Sequence, residues 1–187
     1  MTTLNDIKRK SLAMIEELNP ESQNMTDDPD IAAKLIEIIN QRMFELARHK
    51  KIAKYTEMNV VKGDLITLEN IGDAVGYEVY QVGNMCGVKF VPKANNTVFK
   101  MLESGTLEVD CFVYPEKITE KTSGNYEFEL SQDVMEIMPY GVAADLLKSD
   151  PSSNYGRVYA EEYERLKQML DPRNGMTSIY IEGGVRF

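Results

Sequence analysis

The sequence predicts an α+β fold: an antiparallel helical bundle of about four helices, an inserted small β-sandwich or barrel-like sheet, and an extended C-terminal tail. Three observations carry this. Apolar residues recur at helical spacing up to about residue 62 and again over 131–172. Between them, over 63–130, the period drops to two and glycines punctuate short apolar runs. Charge shifts at the same place: residues 1–63 hold ten acidic and ten basic side chains, residues 64–130 eleven and five, residues 131–187 nine and six. The chain thus divides into a helical bundle of residues 1–62 and 131–172, an inserted β-rich unit of residues 63–130, and an extended arm of residues 173–187.

The first helix is expected over residues 3–18, with Leu4, Ile7, Leu12, Met14, Ile15 and Leu18 along one face and Asn19-Pro20 ending it. Asp28-Pro29 then supplies an N-cap and a proline at the first helical position. From there Ile31, Leu35, Ile38, Ile39, Met43, Leu46 and Ala47 hold the helical period to about Arg48. Arg48, His49, Lys50, Lys51 and Lys54 follow. Cations there complement the helix dipole; they also offer a local basic patch for DNA or an acidic partner. His49 is the sole histidine and has no recognisable nucleophile or acid partner, so it is not read as catalytic.

At Gly63 the pattern becomes strand-like, with runs at 65–68, 77–82, 86–91, 97–102, 107–114 and 126–130 separated by Gly72, Gly76, Gly83, Gly87, Gly105 and Gly124. Glu103-Ser104-Gly105 reads as a hairpin turn joining two of these runs. After it, Leu107, Val109, Cys111 and Val113 alternate with Glu108, Asp110, Phe112 and Tyr114, as in a half-buried strand.

Residues 133–170 read as a helical hairpin. Pro139 suits a first helical turn, and Val142, Ala143, Leu146 and Leu147 continue at helical spacing. Lys148-Ser149-Asp150-Pro151 ends that helix, and Asp150 or Asn154 caps the next. The second helix sets Tyr155, Tyr159, Tyr163, Leu166 and Leu170 on one side and mostly charged residues on the other. The Tyr155, Tyr159 and Tyr163 stripe is expected in the core or at a subunit interface, because the charge around it is too acidic for base stacking. Asp171-Pro172 and Gly175 break the helix. In the last stretch Ile179 and Ile181 alternate with Tyr180 and Glu182, Gly183-Gly184 forms a hinge, and Val185-Arg186-Phe187 follows. That pattern suits a strand pairing with another subunit.

A chain of 187 residues, 43% hydrophobic and 27% charged, is long enough for a sizeable core. No apolar run approaches the ~20 residues that span a bilayer, and residues 1–18 lack the apolar core of a signal peptide, so the expected location is the cytoplasm or an assembly built there. Cys86 and Cys111 have no metal-ligand spacing and read as free buried thiols or one opportunistic disulfide. A net charge of −9 argues against gripping nucleic acid through its phosphates. Phosphate-loop, nucleophile-elbow, zinc and EF-hand motifs are missing, and no catalytic, cofactor or metal residue is assigned.

The element order, with MPYGVAADLLKSDPSSNYGRVYAEEYERLKQMLDPR near its end, resembles the head-to-tail connector (adaptor) proteins of tailed bacteriophages. In many of these a helix like residues 139–148 precedes a Ser-Asp-Pro turn, a long helix with a pair like Tyr163-Glu164, and an extended tail. The resemblance implies a structural virion protein of the head–tail neck, assembled in the host cytoplasm and not an enzyme. Such adaptors form a homo-oligomeric ring, usually dodecameric. They bridge the portal protein to a tail-side stopper or tail-completion protein, and DNA passes through the lumen without sequence-specific binding. Ile179, Tyr180, Ile181, Arg186 and Phe187 would then form the portal-docking arm. Two other readings predict different features. A carbohydrate- or peptide-binding β module on a helical scaffold predicts an exposed aromatic patch involving Tyr77, Tyr80 or Tyr114. A small enzyme predicts a concave pocket with perturbed carboxylates.

Overall fold

A helix that runs directly into a strand sets the architecture. The structure, a computed structural model, describes residues 2–22, 24–149 and 154–170. Among them are five α-helices and six strands: α1 (Leu4–Met14), α2 (Pro29–Lys50), β1 (Ile52–Val60), β2 (Leu65–Thr67), α3 (Leu68–Val75), β3 (Val79–Cys86), β4 (Phe90–Lys93), β5 (Val98–Met101), β6 (Gly105–Val113), α4 (Gln132–Leu146) and α5 (Tyr155–Met169). The fold is mixed α+β. Its strands form two antiparallel three-stranded sheets, ordered β1-β6-β3 and β2-β5-β4, that do not close into the barrel the sequence allowed.

Helices α1, α2, α4 and α5 share one core built on Leu4, Ile7, Leu12, Leu35, Ile39, Met43, Val134, Met138, Val142 and Tyr163. Helix α1 starts at a capping box, with Thr3 and Asp6 each bonding the other's backbone N–H. It stops at Ile15, short of the expected Asn19-Pro20, because Glu16 adopts a positive φ of 61°. Helix α2 begins as anticipated: the Asp28 carboxylate accepts from the N–H groups of Asp30 and Ile31, with Pro29 following it. Helices α4 and α5 pack as an antiparallel pair, since Leu147 meets Gly156 while Gly141 meets Tyr163 farther along both helices.

Helix α4 corrects the reading of Pro139. It begins at Gln132, so Pro139 lies inside it, buried, and cannot donate to the Met135 carbonyl. The expected Asp150 cap lies outside the described residues; Asn154 is the N-cap of α5 but makes no side-chain capping bond.

The β unit departs further from expectation. Its first strand, β1, begins eleven residues before Gly63 and pairs with β6 over nine unbroken positions, from Ile52–Val113 to Val60–Gly105. The run after Leu65 yields only three strand residues. Thr67 and Asn70 then form a capping box that opens α3, and Gly76 closes it at φ 75°. Residues 126–130 form no strand: one bridge joins Thr3 to Glu127, and Phe128 and Leu130 are buried in the helical core instead. The Glu103-Ser104-Gly105 hairpin is also not formed, because β5 and β6 belong to different sheets. That corner pins neighbouring connections, since Glu103 accepts from the Lys89 N–H and Ser104 from the Lys62 N–H. A second core, including Val60, Ile66, Ile71, Phe99, Met101, Leu107, Val109, Cys111 and Val113, lies between the two sheets and α3. Cys86 and Cys111 form no disulfide: Cys111 is buried, and Cys86, only half-buried, donates its thiol to Glu108 at 3.4 Å.

The link from β6 back to α4 is clipped to α2 by Asn40, which is 1% exposed. Its Nδ2 donates to the Ile118 carbonyl at 2.8 Å and its Oδ1 accepts from the Ile118 N–H at 2.9 Å. Asn40→Leu strands both backbone groups in the interior, at about 1–3 kcal/mol each. Loss of roughly 3 kcal/mol in urea unfolding is expected, and an unchanged midpoint would refute this role for Asn40.

Candidate interaction surfaces

The tyrosine stripe of α5 grades from core to solvent. Tyr163 is 1% exposed; its hydroxyl donates to Glu45 Oε2 at 2.9 Å. Tyr159 is half-buried and donates to the Met14 carbonyl at 2.6 Å, tying α5 to the end of α1. Tyr155 is 68% exposed and stacks on Tyr159, ring centroids 6.5 Å apart. The other docking candidates, Ile179, Tyr180, Ile181, Arg186 and Phe187, lie outside the described residues.

Around Tyr163 the chain builds an ionic network that the sequence did not announce. Arg42 grips Asp145 with two nitrogens, at 2.8 and 2.7 Å, and Glu45 at 2.7 Å. Glu45 also accepts from Lys167 at 2.6 Å. Both cations sit over the Tyr163 ring, Arg42 at 4.8 Å and Lys167 at 5.1 Å. Burial raises the cost of ionising Glu45, yet Lys167, Arg42 and Tyr163 together outweigh it and hold this carboxyl below its ordinary range. Burial, reinforced by the Glu45 charge, pushes the Tyr163 hydroxyl up. The network ties α2, α4 and α5 together. Arg42 and Glu45 stand three residues apart, which was the one legible hint; their partners come from 100 or more residues away.

The cations at the end of α2 are likewise engaged. Arg48 donates to the Tyr114 hydroxyl and lies over its ring. Lys50 pairs with Asp133 at 2.8 Å, Lys51 sits 4.9 Å from the Phe112 ring centroid, and Lys54 sits 4.3 Å from that of Tyr77. His49 lies 3.4 Å from the Leu170 carbonyl. Tyr80 and Tyr114 do not form an exposed patch: Tyr114 is 8% exposed, and half-buried Tyr80 packs on it and donates to the Ala47 carbonyl. Burial pushes the Tyr80 hydroxyl up to about 12. Tyr77 is half-buried and donates to Glu129 at 2.6 Å.

Among the described residues, two exposed surfaces border α5. Along the outside of α5, Tyr155, Val158 and Met169 are 68%, 50% and 69% exposed, and the spacing 155, 158, 162, 165, 169 aligns them with the Glu162–Arg165 pair on one stripe. Beside Tyr155 a groove of about 620 Å³ opens between the end of α1, the start of α2 and the α4–α5 turn. Met14, Ile15, Ile31, Leu146 and Leu147 form its apolar wall, Tyr155 and Tyr159 its aromatic side; Glu16, Glu17, Asp28, Asp30 and Lys34 carry its charge. Sequence reading missed it because Glu16 and Glu17 looked like solvated helix residues. Among the described residues there is no cluster able to hold a metal ion, and no helix is long and apolar enough to cross a membrane. Compared with models of known protein families and with curated proteins, the chain matches none.

Two outcomes follow from the Tyr163 site. Glu45, with its carboxyl held below the ordinary 4.5, adds stability that is present above that pH and lost as pH falls through the folded value. Melting temperature should therefore fall more steeply in the wild type than in Glu45→Gln between about pH 5 and pH 3; parallel curves would remove Glu45 from the account. A Cβ at Gly141 would lie 2.8 Å from the Tyr163 ring and 3.0 Å from Arg42. The ring is enclosed, so Gly141→Ala should cost about 1–3 kcal/mol of packing, more than the ~1 kcal/mol of helix propensity it gains, and lower the melting temperature.

Proposed function

We propose that this chain is a ring-forming head-to-tail connector of a tailed bacteriophage, docking on the portal vertex, linking it to a tail-side stopper or tail-completion protein, and letting DNA pass. The observation that most supports this is the exposed Tyr155, Val158 and Met169 stripe on a helix that Tyr163 fixes in the core. A helix anchored by one face, with apolar side chains exposed around an ion pair beside that face, is suited to lie against a neighbouring subunit. Charge agrees with it. The chain carries −9 overall, and the cations that end α2 are spent on Tyr114, Asp133, Phe112 and Tyr77. Such a protein presents little that would hold DNA by its phosphates, as a conduit requires.

In this reading α5 ends at the Leu170 carbonyl beside His49, and the arm beyond it reaches the portal. Ile179, Tyr180, Ile181, Arg186 and Phe187 dock there, with backbone pairing for affinity and apolar side chains for register. The function is that of a structural virion protein of the neck, with no chemistry of its own.

Removing residues 176–187 should leave the monomer folded, with an unchanged circular dichroism spectrum and melting temperature, while abolishing co-sedimentation with purified portal. Portal binding at full strength by the truncated chain would overturn the assignment of the arm.

A further inference from the structure

The two faces of the β unit carry opposite charge. In the sheet β2-β5-β4, Leu65, Lys100 and Val91 stand in one row across the strands, and Thr67, Val98 and Lys93 in the next. The alternate residues Ile66 and Phe99 enter the core, so these two rows face outward. Leu65 and Val91 are 56% and 42% exposed, and Lys93 and Lys100 are exposed as well. Leu102 continues the face at 43% exposure. Residues 64–130 contain only five basic side chains, and Lys89, Lys93 and Lys100 all belong to this sheet or its edge. The outer face of the other sheet is acidic: Glu57 lies directly opposite Glu108, and Asp110 lies next along.

An apolar face flanked by lysines calls for an apolar surface rimmed with carboxylates. The groove at the start of α2 comes near that composition: Met14, Ile15 and Ile31 are among its apolar lining, and its charged lining is Glu16, Glu17, Asp28 and Asp30 against the single cation Lys34. The two surfaces do not meet within one chain. The groove lies at the N-terminal end of α2, which spans about 33 Å before β1 begins, and β2 follows only after the whole of β1. Among the described residues no extensive packing joins β2, β4 or β5 to α1, α2, α4 or α5.

We propose that the outer face of β2-β5-β4 in one copy docks into the acidic groove of a second copy, Lys93 and Lys100 facing Glu16 and Glu17 while Leu65 and Val91 cover Met14 and Ile31. The contact is heterologous: each copy presents the face to one neighbour and the groove to the other. It rests on the ring-forming reading and names the surfaces that would close the ring.

The test uses the full chain and sedimentation velocity over a concentration series. Wild type should self-associate, and association should weaken as salt rises from about 50 to about 500 mM, because these charges are exposed and screened. Lys93→Glu with Lys100→Glu, and separately Glu16→Lys with Glu17→Lys, should each weaken association at least about tenfold. The variant carrying all four reversals should recover it, and so should an equimolar mixture of the two double variants. Double variants that associate like wild type, or a fourfold variant that stays dissociated, would overturn the contact. So would a wild type monomeric at every concentration. Portal co-sedimentation of the same double variants separates the two readings: retained recruitment with self-association lost supports both, retained recruitment with self-association like that of wild type keeps the connector and overturns only the interface, and a chain that ignores the portal fails the connector itself.

Discussion

The junction at Lys51 is the constraint on which the rest of the molecule depends. Helix α2 passes into β1 with a single residue between them, Lys51 at φ 51°, so the helical bundle and the β unit share one continuous stretch of backbone. Such a junction would be a hinge if nothing braced it. Arg48 and Lys51 brace it by lying over the rings of Tyr114 and Phe112, and Lys54 by lying over Tyr77. The Tyr80 hydroxyl adds a second bond to the Ala47 carbonyl, which already accepts from the Lys51 N–H at the end of the helix. Phe44, Tyr80 and Tyr114 fill the space between the two units, at centroid distances of 5.2 and 4.7 Å. A cluster that the sequence offered as either a dipole complement or a nucleic-acid patch is thus the mechanical link between two cores. Its cations gain more from ring faces and short ion pairs inside the protein than from solvent.

This link explains which parts of the fold were legible. Helix α2 could be read in full because Asp28-Pro29 and its apolar period both report local physics. Strand β6 could be read because each inward residue is apolar and each of Glu108 and Asp110 points away. Strand β1 could not, because its inward positions include Lys54 and Thr56, and Lys54 qualifies for the inner face through Tyr77 and Glu129, both distant in the chain. Helix α3 was hidden for a related reason. Its capping residue pairs with Asn70 where a glutamate or glutamine would have made the signature recognisable, and Gly72 looked like punctuation. In fact Gly72 is needed for close approach, since a Cβ there would lie 2.7 Å from the Tyr77 carbonyl. Pro139 misled in the opposite direction: a local rule assigned it to a helix start, but burial of Val134, Met135 and Met138 carries α4 back past it, which tertiary packing can do at the loss of one ladder bond.

The candidate surfaces were legible to a different degree. The stripe of Tyr155, Tyr159 and Tyr163 was visible from spacing alone, but its three residues have three fates that spacing cannot separate. Each depends on what packs against it: Glu45 and Arg42 on Tyr163, the Met14 carbonyl on Tyr159, and the Tyr159 ring on the largely exposed Tyr155. The groove beside Tyr155 was invisible, because it is made from residues 14–17, 28–34, 146–147 and 155–159, segments that only the folded bundle brings together.

What remains uncovered once both cores are closed is unevenly distributed, and that unevenness bears on assembly. Leu65, Val91 and Leu102 are exposed on the β2-β5-β4 face, and Tyr155, Val158 and Met169 on α5; exposed apolar residues gathered on one face, unlike ones scattered singly, are candidate contact surfaces. Two separate patches on one chain differ in consequence from a single patch. One self-complementary patch satisfies itself by a twofold axis and stops at a dimer. Two unlike surfaces, the sheet face flanked by Lys93 and Lys100 and the groove lined by Glu16 and Glu17, would each be filled by a different neighbour unless they met reciprocally across a twofold axis; each docked copy would then leave one surface of either kind at the ends of the assembly. Such an assembly grows until rotation closes it into a ring, or it runs on as a filament. Closure requires a fixed angle between the two surfaces, and in this chain the groove belongs to one core and the lysine face to the other. In the proposed assembly that angle would be set by the braced junction at Lys51, so the cation–aromatic contacts there would shape the assembly as well as brace one subunit.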